Sequence, residues 1–279
     1  MLDFRPGRGN NLGLEDQRRG EAVRGKRLDM VLSRAHAIAL PDRLAEAGAE
    51  LVADLVDANH ILSRQGIVDA FGHVSARHPA RPAHFLLARN LAPALVTAED
   101  IMEFDAESEP VGADAPRPYL ERFIHGEIYR ARPEVMAVIH NHSPSVIPFG
   151  VVPGVTLRPI FHMCGFMGGP APVFEIRESA GDGTDLLIRS RALGAALAQS
   201  LGARSVVLMR GHGVTIAAVN VRQAVYRAIY TEANAKLQCQ AIGLGDPIYL
   251  TEAEALSTAE MNDGQLHRPW ELWRTSAWD

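Results

Sequence analysis

The sequence is poor in cysteine and has no long apolar run. Its 279 residues include two cysteines, Cys164 and Cys239, and neither has the spacing of a pair, which excludes a disulfide framework and favours a reducing, cytoplasmic location. The longest uncharged stretch, residues 135–157, contains three prolines and an H-N-H triplet, so we expect no membrane-spanning helix. The N-terminal segment lacks the apolar core of a secretory signal.

Basic charge is also in deficit. The 28 Lys and Arg residues are outnumbered by 33 Asp and Glu residues, which gives a net charge of −5. This balance excludes a general nucleic-acid binder, whose affinity rests on a basic surface. The composition is otherwise that of a globular protein, with 47% hydrophobic and 22% charged residues. A chain of this length buries about three quarters of its unfolded surface, so its fold requires neither a disulfide nor a structural metal.

Three segments are distinguished along the chain. Residues 1–40 are rich in Arg and Gly with little apolar periodicity, which predicts a loose N-terminal extension. Residues 41–255 alternate amphipathic helical patterns with short apolar strands and contain no linker, so they predict one α/β domain. Because the early strands are short and hairpin-like, a mixed sheet is favoured over a doubly wound parallel one. Residues 256–279 are assigned to a C-terminal tail.

A pair of histidines follows the apolar strand V-M-A-V-I. His140 and His142 are two residues apart, and residues i and i+2 of a strand face the same side, so both imidazoles can reach one point. Loops that leave strand ends are also common places for functional sites. An H-x-H pair alone is nonetheless more often a pair of ordinary buried or half-buried histidines than a metal site.

A third histidine strengthens the metal interpretation. His212 lies between two glycines directly after the apolar strand S-V-V-L-M, where the backbone can turn sharply and present the ring. Two strands that bring three imidazoles to one point would leave coordination positions free, as catalytic metal sites do. Considered alone, His212 would be interpreted as a turn residue without a ligand role.

A catalytic metal site also requires a carboxylate, as a ligand or as a proton carrier. Glu121 opens a predicted helix directly after R-P-Y-L, at the positive end of the helix dipole. Spacing alone leaves two alternatives open for Glu121. It is either a catalytic carboxylate or a first-turn charge that stabilises the helix by less than about 1 kcal/mol.

Four short motifs together resemble the class II aldolase/adducin family: G-H-V-S-A-R (72–77), P-Y-L-E (118–121), H-N-H (140–142) and R-G-H-G (210–213). The resemblance runs from about residue 44 to residue 249. It implies a single-domain α/β/α sandwich on a mixed, largely antiparallel sheet, and a homotetramer with sites near the subunit contacts. It also implies one divalent metal ion bound by His140, His142 and His212, with Glu121 as a further ligand or an acid/base.

The sequence departs from the sugar-phosphate aldolases of that family at the substrate positions. His73 stands where those enzymes carry Asn, and Tyr119-Leu120 replaces a Ser-Ser pair that holds phosphate. Loss of small hydroxyl residues argues against a phosphate cradle, while an aromatic and basic lining suits a planar, anionic small molecule. The candidate catalytic residues are therefore Glu121, His73 and Tyr119. The candidate substrate-binding residues are Ser75, Arg89, Arg117 and His162.

The G-H-V-S-A-R form and the loop at residues 160–169 resemble one branch of the family, the metal-dependent decarboxylases of hydroxylated aromatic or pyridine dicarboxylates. The resemblance implies a carboxy-lyase that acts through a metal-stabilised, enolate-like intermediate and favours Mn²⁺. An aldolase or epimerase on a small sugar or hydroxy-keto acid is the alternative, and it favours Zn²⁺. An adducin-like binding module without catalysis is a third hypothesis, although such a scaffold has no need of a converging ligand set.

Overall fold

The computed structural model describes residues 40–278. The predicted N-terminal extension, residues 1–40, therefore lies almost entirely outside the described residues. Within residues 40–278 the chain forms seven strands and eight α-helices, joined by short 3₁₀ turns. No helix in this part of the chain is long and apolar enough to cross a membrane.

The strands are β1 (His73–Arg77), β2 (Phe85–Ala88), β3 (Ile101–Phe104), β4 (Ala137–Asn141), β5 (Val173–Phe174), β6 (Val206–Met209) and β7 (Gly213–Ala218). The helices are α1 (Ala49–Arg64), α2 (Arg122–Ala131), α3 (Ile147–Val151), α4 (Arg177–Ala180), α5 (Arg191–Leu201), α6 (Val221–Leu244), α7 (Glu252–Asp263) and α8 (His267–Ala277).

The sheet is mixed and largely antiparallel, as the sequence predicts. Its strand order is β3-β2-β1-β4-β7-β6-β5, and only the β5–β6 pair is parallel. Strand β4 lies between β1 and β7, and its register pairs His140 with both His73 and Thr215. The beginning of β1, the end of β4 and the beginning of β7 therefore lie at the same end of these three central strands.

Two groups of helices cover the sheet. Helix α6 packs on β4 and β7 and also contacts α1, which in turn packs on β1. Helix α2 packs on β2 and β4 and makes an extensive contact with α5. The close approach of α2 and α5 depends on Gly194, because a Cβ there would clash with the backbone of Phe123. The result is the expected α/β/α sandwich. Glu121, at the start of α2, lies at that end of the central strands.

The segment assigned to a C-terminal tail contains most of α7 and all of α8. Helix α8 packs on α1, and it buries Trp270 and Trp273. Just beyond it, the Trp278 indole donates a hydrogen bond to Asp57 at 3.0 Å and stacks on the His60 ring at 3.9 Å. Residues 252–278 are thus packed against the body of the structure.

Candidate metal centre and active site

Four side chains converge at the end of the sheet where β1 and β7 begin and β4 ends. Glu121, His140, His142 and His212 each offer one ligand atom, and these atoms lie within 4.8 Å of one another. The Nε2 atom of His142 is 3.2 Å from that of His140 and 3.1 Å from that of His212. The Glu121 Oε2 atom lies 3.7 Å from His140 Nε2 and 3.5 Å from His212 Nε2.

Local backbone geometry explains why the three imidazoles meet. His140 lies in β4 and His142 directly follows it, while His212 lies in the turn between β6 and β7. In that turn Gly211 has φ +67°, a left-handed conformation that favours glycine. A Cβ at Gly213 would clash with the Asn141 carbonyl. The R-G-H-G motif thus allows β7 to approach β4 closely enough to bring His212 beside His142.

Glu121 has the position predicted at the start of α2, but its side chain does not cap the helix. It stands at the N-cap position without a capping hydrogen bond, and its Oε1 atom instead accepts a hydrogen bond from the Ile188 amide at 2.9 Å. Only 8% of Glu121 is exposed, and burial raises the pKa of its carboxyl group to about 7. The geometry therefore disfavours the alternative in which Glu121 merely stabilises the helix start.

The backbone at residues 184–188 orients two members of the cluster. The Leu186 carbonyl accepts a hydrogen bond from His212 Nδ1 at 3.0 Å, and two residues later Ile188 donates to Glu121. Leu186 has φ +68°, a conformation that costs a non-glycine residue free energy. Because the His212 proton is held on Nδ1, its Nε2 lone pair faces the cluster, which is the orientation a metal-ligating histidine needs.

The electrostatics of the cluster fit a divalent cation. Burial first, and neighbouring histidines second, lower the pKa of His140 well below its usual value and that of His212 to about 4. Neutral imidazoles therefore present lone pairs to one another at about hydrogen-bond distance, with a carboxylate beside them. Three imidazole nitrogens and one carboxylate oxygen form a donor set that suits Zn²⁺, Mn²⁺ or Fe²⁺.

The structure brings His73 next to the metal-ligand candidate His140, and it places Tyr119 against His73. The buried His73 ring has its centroid 5.2 Å from that of His140 and 4.7 Å from that of Tyr119. The Tyr119 hydroxyl donates a hydrogen bond to the Leu91 carbonyl, and burial raises the pKa of Tyr119 to about 12. Nearby, the Phe71 ring is 65% exposed and lies 6.3 Å from the ring of His142. Aromatic surfaces thus border the cluster.

The four candidate substrate-binding residues lie in different surroundings. Ser75 is fully buried, and its hydroxyl contacts His125 and Tyr129 in the interior. The Arg89 side chain donates to Asp100 at 2.6 Å, whereas Arg117 is exposed. His162 is exposed in a 3₁₀ turn, where its carbonyl accepts from Asn262 of α7. Ser75 is linked through His125 to His73, whose ring lies against that of His140. Among the described residues, no side-chain hydrogen bond joins Arg89, Arg117 or His162 to the metal-ligand candidates.

Two residues of the site were missed by the sequence analysis. His125 and Tyr129 follow Glu121 at intervals of four residues and therefore lie along one face of α2. Both are buried, and both take part in hydrogen bonds that lead to His73. The i, i+4, i+8 spacing of three polar side chains in an otherwise amphipathic helix was the signal that could have identified them.

Comparison with known proteins identifies the class to which this fold and site belong. Residues 53–239 match the family model described as Class II Aldolase and Adducin N-terminal domain. The chain is also 41% identical over 245 residues to decarboxylase tropJ of Talaromyces stipitatus, a match that covers 80% of this chain and 92% of that protein. The chain belongs to the class II aldolase/adducin family.

A second sequence relative and a solved structure are also similar to this chain. The chain is 33% identical over 220 residues to a 3,4-dihydroxyphthalate decarboxylase of Arthrobacter keyseri, which covers 72% of this chain and 82% of that enzyme. Among solved structures, an L-fuculose 1-phosphate aldolase from Glaciozyma antarctica superposes with a TM-score of 0.65 at 24% identity, over 80% of this chain and 88% of that one. The sequence similarity reaches the decarboxylase-named branch, and the structural similarity shows the shared fold.

Proposed function

We propose that this protein is a metal-dependent decarboxylase of a hydroxylated aromatic or heteroaromatic carboxylate. The observation that carries the proposal is the convergence of Glu121, His140, His142 and His212 beside the aromatic surfaces of His73 and Tyr119. The names of the sequence relatives, decarboxylase tropJ and 3,4-dihydroxyphthalate decarboxylase, support the reaction type. The substrate class and the metal dependence are inferred from the chemistry of the site.

His140, His142 and His212 would hold one divalent ion, either Mn²⁺ or Zn²⁺, with the Glu121 carboxyl group beside it. When bound, such an ion supplies positive charge that stabilises the enolate-like anion left when CO₂ departs. In this reaction the bond between the ring carbon and the carboxylate carbon breaks, and its electron pair stays on the ring. The ring carbon then takes up one proton, so the reaction requires a group that delivers a proton at that atom.

Glu121 is the residue best placed to deliver that proton. In the metal-free protein burial raises the pKa of its carboxyl group to about 7, which favours the protonated form that a general acid requires. The Ile188 amide holds its Oε1 atom, which leaves Oε2 directed at the histidines. We therefore assign Glu121 a proton-carrying role at the reacting carbon, in addition to its place beside the metal ligands.

Planar rings around the cluster would hold the substrate. His73 and Tyr119 form one wall, and the exposed Phe71 ring lies beside His142 at the opening. Arg89 and Arg117 are the candidates for pairing with the substrate carboxylates, because an arginine fork matches carboxylate geometry. Ser75 and His162 remain proposals as substrate-binding residues, although Ser75 would act from the interior.

We also propose a cytoplasmic homotetramer. Large apolar side chains are exposed at the end of α6, in the loop that follows it and on α7, and such surface is suited to burial between subunits. These side chains belong to Leu244, Ile248 and Leu256. The mass of the protein in solution tests this proposal, and a monomer at micromolar concentration would contradict it.

The proposed reaction is tested by CO₂ release from a panel of hydroxyphthalates and hydroxypyridine dicarboxylates. The protein is stripped with a chelator and divided into portions that receive Mn²⁺, Zn²⁺ or no metal. We expect CO₂ only from the portions that received metal. We also expect it only from substrates with a ring hydroxyl group next to a carboxylate. Carbonyl products from dihydroxyacetone-type adducts, without CO₂ from any member of the panel, would overturn the proposal in favour of the aldolase alternative.

A further inference from the structure

A chain of buried hydrogen bonds leads from the interior of the protein to His73. The Tyr129 hydroxyl is 2.7 Å from Ser75 Oγ, which is 2.6 Å from His125 Nδ1. The other nitrogen of that ring, His125 Nε2, is 2.6 Å from His73 Nδ1. All four side chains are buried, with Ser75 and His125 fully inaccessible. Helix α2 supplies His125 and Tyr129, and strand β1 supplies Ser75 and His73.

The direction of one of the three hydrogen bonds fixes the direction of the other two. Because a phenol is a stronger acid than an aliphatic alcohol, we assign Tyr129 as the donor to the Ser75 oxygen. The Ser75 hydroxyl then has its proton free for His125 Nδ1. With Nδ1 accepting, the neutral His125 ring carries its proton on Nε2 and donates it to His73 Nδ1. Each bond polarises the next, which strengthens the whole chain in a buried environment.

The His73 tautomer follows from the last hydrogen bond of the chain. Burial lowers the pKa of His125 to about 3, so this ring is neutral and donates through Nε2 alone. A His73 ring whose Nδ1 accepts that hydrogen bond must hold its own proton on Nε2. Among the described residues no group is hydrogen-bonded to that Nε2 atom, and the His73 ring lies against the rings of Tyr119 and His140.

We propose that Tyr129, Ser75 and His125 form a tautomer lock that keeps the His73 proton on Nε2, where it serves as a fixed hydrogen-bond donor to an oxygen of the substrate. His73 in this role binds substrate and does not transfer its proton. Replacing that proton along the chain of hydrogen bonds would leave a buried Tyr129 phenolate. Tyr129, Ser75 and His125 are positioning residues that act through His73. The assignment of the acceptor as a substrate carboxylate rests on the proposed decarboxylase function, whereas the tautomer itself does not.

A fixed donor at this point would select among substrates. A carboxylate has only acceptor oxygens, so it pairs with Nε2–H, whereas the opposite tautomer would present a lone pair and repel it. Because the proton donor is neutral, the interaction requires no counter-charge and leaves the cationic character of the site to the metal and the arginines. We expect His73 to affect the KM of anionic substrates more than kcat.

The tautomer is measured directly by ¹⁵N NMR of protein labelled at histidine, in the metal-free form and again with diamagnetic Zn²⁺. Resonances of His73 and His125 are assigned with the variants His73→Asn and His125→Asn. We expect both rings to show a protonated Nε2 and an unprotonated Nδ1. A protonated Nδ1 on His73 in the wild-type protein would overturn the proposal whatever the substrate proves to be.

The lock is tested with Tyr129→Phe, which removes only the hydroxyl at the beginning of the chain. We expect the His73 signal to become a mixture of tautomers and the KM to rise roughly 5- to 10-fold, the effect of weakening one hydrogen bond, with kcat nearly unchanged. The matched control is Tyr249→Phe, whose hydroxyl accepts from Gln238 at 3.2 Å elsewhere in the structure. Both variants are compared with the wild type by thermal melting, so that a loss of folding is recognised.

Two outcomes distinguish this inference from the proposed reaction. If no substrate releases CO₂ but the His73 tautomer changes in Tyr129→Phe and not in Tyr249→Phe, the lock stands and the decarboxylase proposal fails. If CO₂ is released but Tyr129→Phe leaves both the tautomer and the KM at the values of the control, the lock is refuted. In Ser75→Ala, which breaks the chain at a different bond, the same change of tautomer is expected.

Discussion

The two ends of strand β1 both bury polar side chains, but they satisfy them differently. At one end, the Arg77 guanidinium donates to the carbonyls of Val135 and Tyr129 at 2.9 and 2.7 Å. It also donates to the carbonyls of Arg132 and Pro82. At the other end, four residues away, the side chains near His73 include three imidazoles whose Nε2 atoms face one another.

This difference separates a structural polar cluster from a functional one. At Arg77 the donors of one buried cation meet the acceptors of the surrounding backbone, so nothing further is needed. At the His140–His142–His212 end acceptors predominate, and burial keeps the rings from gaining protons of their own. An excess of buried acceptors is stabilised by an added cation, which is the physical basis of the metal assignment.

The largest effect is expected when one metal-ligand candidate is removed. His140→Ala leaves two imidazoles to hold the ion, so we expect metal and CO₂ release to be lost together, with activity reduced to background. Metal content by elemental analysis and turnover are measured on the same preparation. His267→Ala, which removes an exposed histidine of α8, is the control and should behave as wild type. Equal turnover in the two variants would contradict the assignment.

A smaller effect is expected from Glu121→Gln, which changes the chemistry of the site and nearly preserves its shape. If the carboxyl group is the proton carrier, turnover falls by roughly 10²- to 10⁴-fold, whereas metal occupancy stays near that of the wild type. The amide can still accept from the Ile188 backbone, so the helix start is preserved. Full metal with near-normal turnover would refute the catalytic role of Glu121, and Tyr119 would then be the candidate for the proton donor.

The other end of β1 is tested with Arg77→Met, which fills similar space without the donors. Four backbone carbonyls each lose a hydrogen bond, and among them the Arg132 carbonyl keeps the one from the Val135 amide, so we expect the free energy of unfolding to fall by about 3 kcal/mol. Metal affinity measured on the folded variant should be unchanged. Arg64→Met, at an exposed position of α1, should alter stability by less than about 0.5 kcal/mol. Loss of metal from a folded Arg77→Met protein would remove the distinction between the two ends.

The smallest effect is the pH dependence of the metal-free protein. Burial lowers the pKa of His125 to about 3 and that of His212 to about 4, whereas histidines of the unfolded chain titrate near 6.5. Between pH 6.5 and pH 4 the unfolded state therefore holds more protons, so stability falls as the pH falls, by about 1 kcal/mol per pH unit for each such histidine.

Glu121 opposes this trend, because its raised pKa of about 7 makes the folded state hold a proton that the unfolded state releases above pH 4.5. Its contribution to stability is lost as the pH rises through 7. Since the buried histidines outnumber this one carboxyl group, we expect a net loss of stability on acidification from pH 6.5 to pH 5. Urea unfolding of chelator-treated protein measures it, and an unchanged or higher midpoint at pH 5 would contradict the predicted shifts.

Much of the architecture was predictable because it follows from local patterns. The histidines at residues 140 and 142 lie at a strand end, Glu121 opens a helix, and the family motifs imply the mixed sheet; these features agree with the structure. Strand β7 was not predicted, because its G-V-T-I-A-A run is buried along its whole length and lacks the alternation of a half-buried strand. Its position beside β4 is a tertiary property.

The interior part of the site was not predictable in the same way. His125 and His73 are 52 residues apart in the chain, and their contact depends on how α2 packs against β1. The orientation of His212 by the Leu186 carbonyl likewise depends on a loop whose left-handed leucine has no sequence signature. Sequence patterns therefore identified the side chains that converge at the candidate metal centre. The groups that orient those side chains were recognised only in the folded structure.

The most direct test of the contrast between the two ends of β1 is a calorimetric titration of Zn²⁺ and Mn²⁺ into the metal-free protein. The wild type and Arg77→Met should each bind one ion per chain with the same affinity, and His212→Ala should show no binding at that site. Undiminished binding by His212→Ala, or no stoichiometric binding by the wild type, would contradict the assignment of His140, His142 and His212 as the metal ligands.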